Sequence, residues 1–124
     1  GDILKDGKID FLDMSLWDVF KEPVEEAFQG RSLMSWFTEL PRGNVRLGVA
    51  GKITSAAIAN QMLENGADFV LIGRAAIVHH DFPMKARDPA FQQLPIPLPA
   101  EHFAAEGVSP GFVEYLRGTF RMVA

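Results

Sequence analysis

Apolar residues recur along this chain in two rhythms, short near-alternating or continuous runs and longer stretches at helical spacing. From Ile9 to Leu16 the apolar positions are 9, 11, 12, 14 and 16, close to period two with one slip, which predicts a strand. Val45-Arg46-Leu47-Gly48-Val49-Ala50 is a short run rich in small residues and predicts a second. Asp68-Phe69-Val70-Leu71-Ile72 is nearly continuous, the pattern of a parallel strand buried on both faces. Between the first two, Ser32 is placed to cap a helix over 33–40, with Leu33, Phe37 and Leu40 on one face and Pro41 as its stop. Between the second and third, Thr54 or Ser55 caps a helix over roughly 55–65. That helix carries Ile58, Ala59, Met62 and Leu63 at helical spacing, and Gly66 stands where a C-terminal glycine belongs.

The remaining segments are punctuated rather than periodic. The opening reads as a helix end with a turn at Asp6-Gly7-Lys8, and 17–31 is irregular, broken by Pro23 and Gly30. A short helical stretch is expected over 75–78. Pro89, Pro95, Pro97 and Pro99 make Asp88 to Pro99 an extended wrapping segment. The last helix has Ser109 as cap, Pro110 in its first turn, Phe112 to Arg117 as body and Gly118 as stop. The sum is an α/β chain: three parallel strands near 9–16, 45–50 and 68–72, in sequential order, with helices on one side and right-handed crossovers.

Composition narrows the function. Of 124 residues, 48% are hydrophobic and 23% charged, an ordinary globular balance, and the net charge of −4 gives no footprint for nucleic acid. No apolar run approaches the roughly 20 residues of a membrane span. The start at Gly1-Asp2-Ile3-Leu4 is no signal peptide, lacks an initiator Met and suggests a processed or truncated product. The absence of cysteine excludes disulfides and thiolate chemistry and accords with a cytoplasmic location.

Candidate chemistry lies where the second and third strands end. Gly51 and Gly73 stand at strand C-terminal ends, where βα proteins place their sites, and a glycine lets a ligand approach the backbone. Lys52 and Arg74 add positive charge, and the helices that follow begin with unpaired N–H groups. A strand-ending glycine is common as a mere turn. Two of them, each followed by a basic residue, predict a phosphate cradle of Gly51, Lys52, Gly73 and Arg74. No catalytic residue can be named. His79-His80 are adjacent and point apart, so they read as surface histidines with no third ligand, and no metal site is expected. His102 reads as lying near a turn. Asp10, Asp13 and Asp18 read as turn or solvent-facing carboxylates, Trp36 and Phe37 as core and interface. Trp17, at a strand's end, is the aromatic placed to line a site.

Val49-Ala50-Gly51-Lys52-Ile53-Thr54-Ser55, followed by Asn65-Gly66-Ala67-Asp68 through Gly73-Arg74, resembles the last two βα units of the old yellow enzyme family. Asp81-Phe82-Pro83 is similar to that family's continuation, Asp10 to Asp18 to its sixth strand and following loop, and Ser109 to Leu116 to the closing helix of some members. The resemblance implies that residues 1–124 are the C-terminal portion of a single FMN-binding (β/α)₈ barrel, strands six to eight. In that family the residues matching Gly51, Gly73 and Arg74 help bind the FMN phosphate, and Lys52 departs from the small residue frequent there. The family's substrate-binding His pair or His/Asn and its proton-donating Tyr lie on earlier strands, and Tyr115 does not match the donor.

The implied activity is transfer of hydride from NADH or NADPH, by way of FMN, to a small-molecule acceptor, with this chain inactive alone. Two other readings stay open: a phosphate-binding barrel end from an isomerase or lyase without flavin, and a non-catalytic interaction fragment. Three strands cannot close a barrel of eight. Open edges and an uncovered face with Leu47, Val49, Val70 or their alternates therefore predict self-association, or association with the missing N-terminal part.

Overall fold

The computed structural model describes residues 2–124; Gly1, which begins the opening segment, lies outside them. The chain forms two compact units, one of Gly1–Ile53 and Ala57–Gly73, the other of Thr54–Ala56 and Arg74–Ala124.

After α1 (Asp2–Lys5), the first unit is built on β1 (Phe11–Ser15), β2 (Arg46–Ala50) and β3 (Phe69–Leu71), in the order β1-β2-β3. Both pairings are parallel, Phe11 opposite Arg46, Ser15 opposite Ala50 and Ala50 opposite Leu71, as the strand–helix–strand rhythm predicts. The first connection carries α2 (Leu33–Thr38), with Ser32 as its cap: the Ser32 hydroxyl accepts from the Ser35 N–H at 3.3 Å. The second carries α3 (Ala56–Glu64), all of it but Ala56 in this unit, and Gly66 ends it with φ +104°.

Alternation then sorts the strand residues. Met14, Leu47 and Val49 face Met34 of α2 and Met62 of α3, with Leu12, Val70 and Ile72 packed beside them. Complete burial of side chains such as Leu47 and Met62 contributes about 1.5–3 kcal/mol each. Leu63, expected on the inner face of α3, is instead exposed: it directly follows Met62, about 100° further round the helix.

The opposite face of the sheet carries Phe11, Asp13, Ser15, Gly48, Phe69 and Leu71, and among the described residues α2 and α3 pack their buried side chains on the other face. One expectation is corrected here. β3 is only half-buried at every position rather than buried on both faces. Of the two alternatives left open for the outward face, the structure takes the alternates: Phe11 and Phe69, set edge to face at 5.8 Å, lie there, while Leu47 and Val49 lie under the helices. Gly48 is buried beneath the Phe69 ring, which a Cβ at that position would overlap.

Asp68 registers β3 against β2. Its N–H donates to the Leu47 carbonyl at 2.7 Å while its carboxylate accepts from the Leu47 N–H at 2.7 Å. Arg42 donates to the same carboxylate at 2.6 Å and to the carbonyls of Val45 and Gly66. The Leu47 N–H first, and Arg42 second, hold the Asp68 carboxyl below its usual pKa.

The second unit packs α4 (Arg74–Val78), α6 (Ala100–Ala105) and α7 (Pro110–Tyr115) around Val78, Phe103, Val113, Leu116 and Met122, while α5 (Phe82–Lys85) sets its buried Phe82 against Phe91. Residues 88–98 run between α5 and α6 without helix, as the prolines predict, and Leu98 bridges Val123 near the C-terminus. α6 was not expected. Its only large apolar residue is Phe103, too little to display a helical period, and it follows the proline-rich stretch directly. Gly118 does not stop the last helix. A π-helical turn over Leu116–Phe120 runs through it, and the chain leaves that turn at Arg121 in the left-handed region. Among the described residues no helix is long and apolar enough to cross a membrane.

Candidate functional site

Because Ala50 pairs with Leu71, Gly51 and Gly73 follow from neighbouring strand ends on the C-terminal side of the sheet, as expected. Their local structures differ. Gly51 has φ +147°, a conformation suited to glycine, and a Cβ there would collide with the Leu16 carbonyl and lie 3.1 Å from the Asp18 nitrogen. The chain's own β1 loop therefore fills the space beside Gly51, and the Val19 N–H donates to the Gly51 carbonyl at 3.3 Å. The demand for glycine at this position comes from the fold.

Lys52 also stands in the left-handed region, φ 51°, and its ammonium is 3.0 Å from the Asp18 carboxylate. Asp18 further accepts from the Phe20 N–H at 3.0 Å. That backbone bond first, and Lys52 second, hold the Asp18 carboxyl below its usual pKa. Asp18 is thus a structural clamp rather than a mere solvent-facing carboxylate. Spacing could not show it, since 34 residues separate it from Lys52. The expected helix-start donors do not follow Gly51 directly, because α3 begins only at Ala56.

Gly73 presents the contrary case. It is exposed, its φ lies outside the left-handed region, and a Cβ would meet nothing within 4 Å. Neither backbone strain nor packing requires glycine here. Arg74, bonded to it, is the first residue of α4 and half-buried. Trp17, beyond the end of β1, is largely exposed. Trp36 lies under the Arg31 guanidinium at 3.7 Å, while Phe37 packs on the core.

A cavity of about 760 Å³ opens at the other, N-terminal ends of the strands, lined by Asp10, Phe11, Arg46 and Phe69 among others. It contains none of the four strand-end residues, and ligands of parallel sheets bind at the carboxyl ends.

The histidines of the second unit depart from expectation. His80 is exposed but His79 is buried, its ring set edge to face against Phe91 at 5.2 Å and His102 at 6.0 Å. Burial first, then the nearby Lys85 charge, pushes its pKa down. His102 belongs to α6 rather than a turn, and its Nε2 stands 2.7 Å from the Val78 carbonyl. Glu106 accepts from the His80 N–H at 2.7 Å, which with the His80 ring holds its carboxyl below the usual range. The ligand atoms of His79, His102 and Glu106 come within 4.8 Å of one another, as do those of His80, Asp81 and Glu106. Sequence spacing missed these groups because α6 itself was missed. A cation of the protein's own already stands there: the Lys85 ammonium is 3.4 Å from His79 Nδ1 and 2.8 Å from the Asp81 carboxylate.

No family model matches the chain, and no solved structure matches it significantly. A curated protein does: the probable NADH-dependent flavin oxidoreductase YqiG of Bacillus subtilis (strain 168) is 31% identical over 93 residues, 75% of this chain. The chain spans about a quarter of the length of that relative, 25%.

Proposed function

We propose that this chain is the C-terminal part, strands six to eight, of a cytoplasmic FMN-dependent (β/α)₈-barrel oxidoreductase of the old yellow enzyme family. The enzyme passes hydride from NADH or NADPH to an oxidised small-molecule acceptor. The observation that carries the reading is the 93-residue similarity to a flavin oxidoreductase, and the sequential parallel strands accord with it. FMN, when bound, supplies the hydride-carrying ring that no protein side chain offers.

The residues present fit a phosphate unevenly. Gly73 fits best, since its backbone is open to a ligand and nothing else calls for glycine there. Arg74 adds a guanidinium suited to phosphate oxygens. Gly51 has its Cβ side filled by Leu16, and the Lys52 charge is balanced by Asp18. The role of those two is to fix the loop between β2 and α3. In the whole protein the face of Phe11, Phe69 and Leu71 is covered by the preceding part of the barrel or, failing that, by a second copy.

The test is to purify the full-length protein and examine it for a yellow chromophore that heat releases and mass spectrometry identifies as FMN. A colourless protein that takes up no added FMN would overturn the proposal. The same preparation truncated to these 124 residues should associate in light scattering. A stable 13.7 kDa monomer would overturn the account of the open face.

A further inference from the structure

His79 is held between two hydrogen-bond donors. The Leu94 N–H donates to Nε2 at 3.2 Å, and the Lys85 ammonium stands 3.4 Å from Nδ1. A neutral imidazole has one lone pair and one N–H, whereas the charged ring has two N–H groups and no acceptor. The tautomer that accepts from Leu94 carries its proton on Nδ1, toward Lys85, so protonation of His79 removes the one acceptor the Leu94 amide uses and leaves donors facing both sides of a buried ring. The next amide back along the chain, that of Gln93, donates to the Thr54 carbonyl at 3.1 Å. Two successive amides thus fasten the middle of residues 88–98 within the second unit, one to a titratable ring and one to the Thr54 carbonyl, while Leu98 is held separately by backbone bonds with Met122 and Ala124.

We propose that His79 is an acid-sensitive latch, which holds the middle of the proline-rich strap, Phe91 to Leu94, while its ring is neutral and releases it on protonation. The groups facing the ring oppose one another. Lys85 and His102 disfavour a charge on it, while Glu106 and Asp81 favour one. The carboxylates are already engaged, Asp81 by Lys85 and Glu106 by the amide and ring of His80. Burial is the largest of these influences and acts with Lys85, so the folded ring takes up its proton below the ordinary 6.5. A lowered histidine pKa makes the folded state bind fewer protons than the unfolded one. Its stabilisation is complete above about 6.5 and is lost as pH falls below that value. The inference does not depend on the flavin reading, because every residue in it belongs to the second unit.

The test is hydrogen exchange of the full chain, corrected for the intrinsic pH dependence of amide exchange, followed at the Leu94 amide from pH 7.5 to 5.0. Protection at Leu94 should be lost progressively as the pH falls through this range. The Phe103 amide in the core should change far less. His79→Gln keeps an acceptor for Leu94 without a titrating ring and should abolish the acid step. His80→Gln should retain it. Flat protection at Leu94 in the parent protein, or an undiminished acid step in His79→Gln, would overturn the latch. If His79→Gln does not fold, loss of the step in His80→Gln alone would assign it to His80 and overturn the proposal equally.

Discussion

The ends of β2 and β3 carry the same two-residue signature, glycine then a basic side chain, and the fold uses them in opposite ways. At Gly51 the missing side chain makes room for the Leu16 carbonyl, and the lysine that follows is tied to Asp18. At Gly73 the missing side chain makes room for nothing within the protein, and the arginine that follows opens a helix. A glycine explained by its own chain carries no information about a ligand.

The largest effect that could break this contrast is on stability. Gly51→Ala forces a side chain into a glycine-only backbone region and against a carbonyl, and should cost about 3 kcal/mol in denaturant unfolding. Gly73→Ala meets neither obstacle and should stay within about 0.5 kcal/mol of the parent. Equal losses at the two positions would erase the distinction.

Next in size is ligand affinity. Arg74→Ala in the full-length protein should weaken FMN binding by about 1.5–3 kcal/mol, the range for a hydrogen bond to a charged group. Fluorescence titration reads this directly. An unchanged affinity would remove Arg74 from the cradle.

The smallest effect belongs to the clamp at β2. Lys52→Ala should cost less than about 1 kcal/mol, since the pair is partly exposed and screened, and the cost should vanish when Asp18 is already Asn. The lowered Asp18 pKa fixes the sign with pH: its contribution is present above the ordinary carboxyl value of 3.8 and lost as pH falls through the lower folded value. A double-mutant cycle that gives the same Lys52→Ala cost with and without Asp18 would dissolve the clamp.

Legibility in the sequence followed the strength of the local signals. The parallel order, the Ser32 and Ser109 caps and the Gly66 terminator all rest on local rules, and the structure shows each of them. Residue 118 was misread because glycine is an end signal only when the last turn needs one, and Leu116–Phe120 widens to a π turn instead. The strand-end places of Gly51 and Gly73 were legible, but not what surrounds them. Nothing near Gly51 in sequence announces that Leu16 will lie against it, and nothing near His79 announces Leu94 and Glu106. Those partners arrive by folding from 15 or more residues away.

The Phe69 ring occupies the space that a side chain on Gly48 would need, so positions 48 and 69 share a single allotment of volume across two strands. Neither residue can be chosen on its own. A methyl group at 48 calls for a displaced or smaller ring at 69, and a smaller residue at 69 leaves a hollow at 48 that the next layer of protein must fill. In related chains the two positions should accordingly vary together, with the bulk passed from one strand to the other and the relief of the uncovered face preserved.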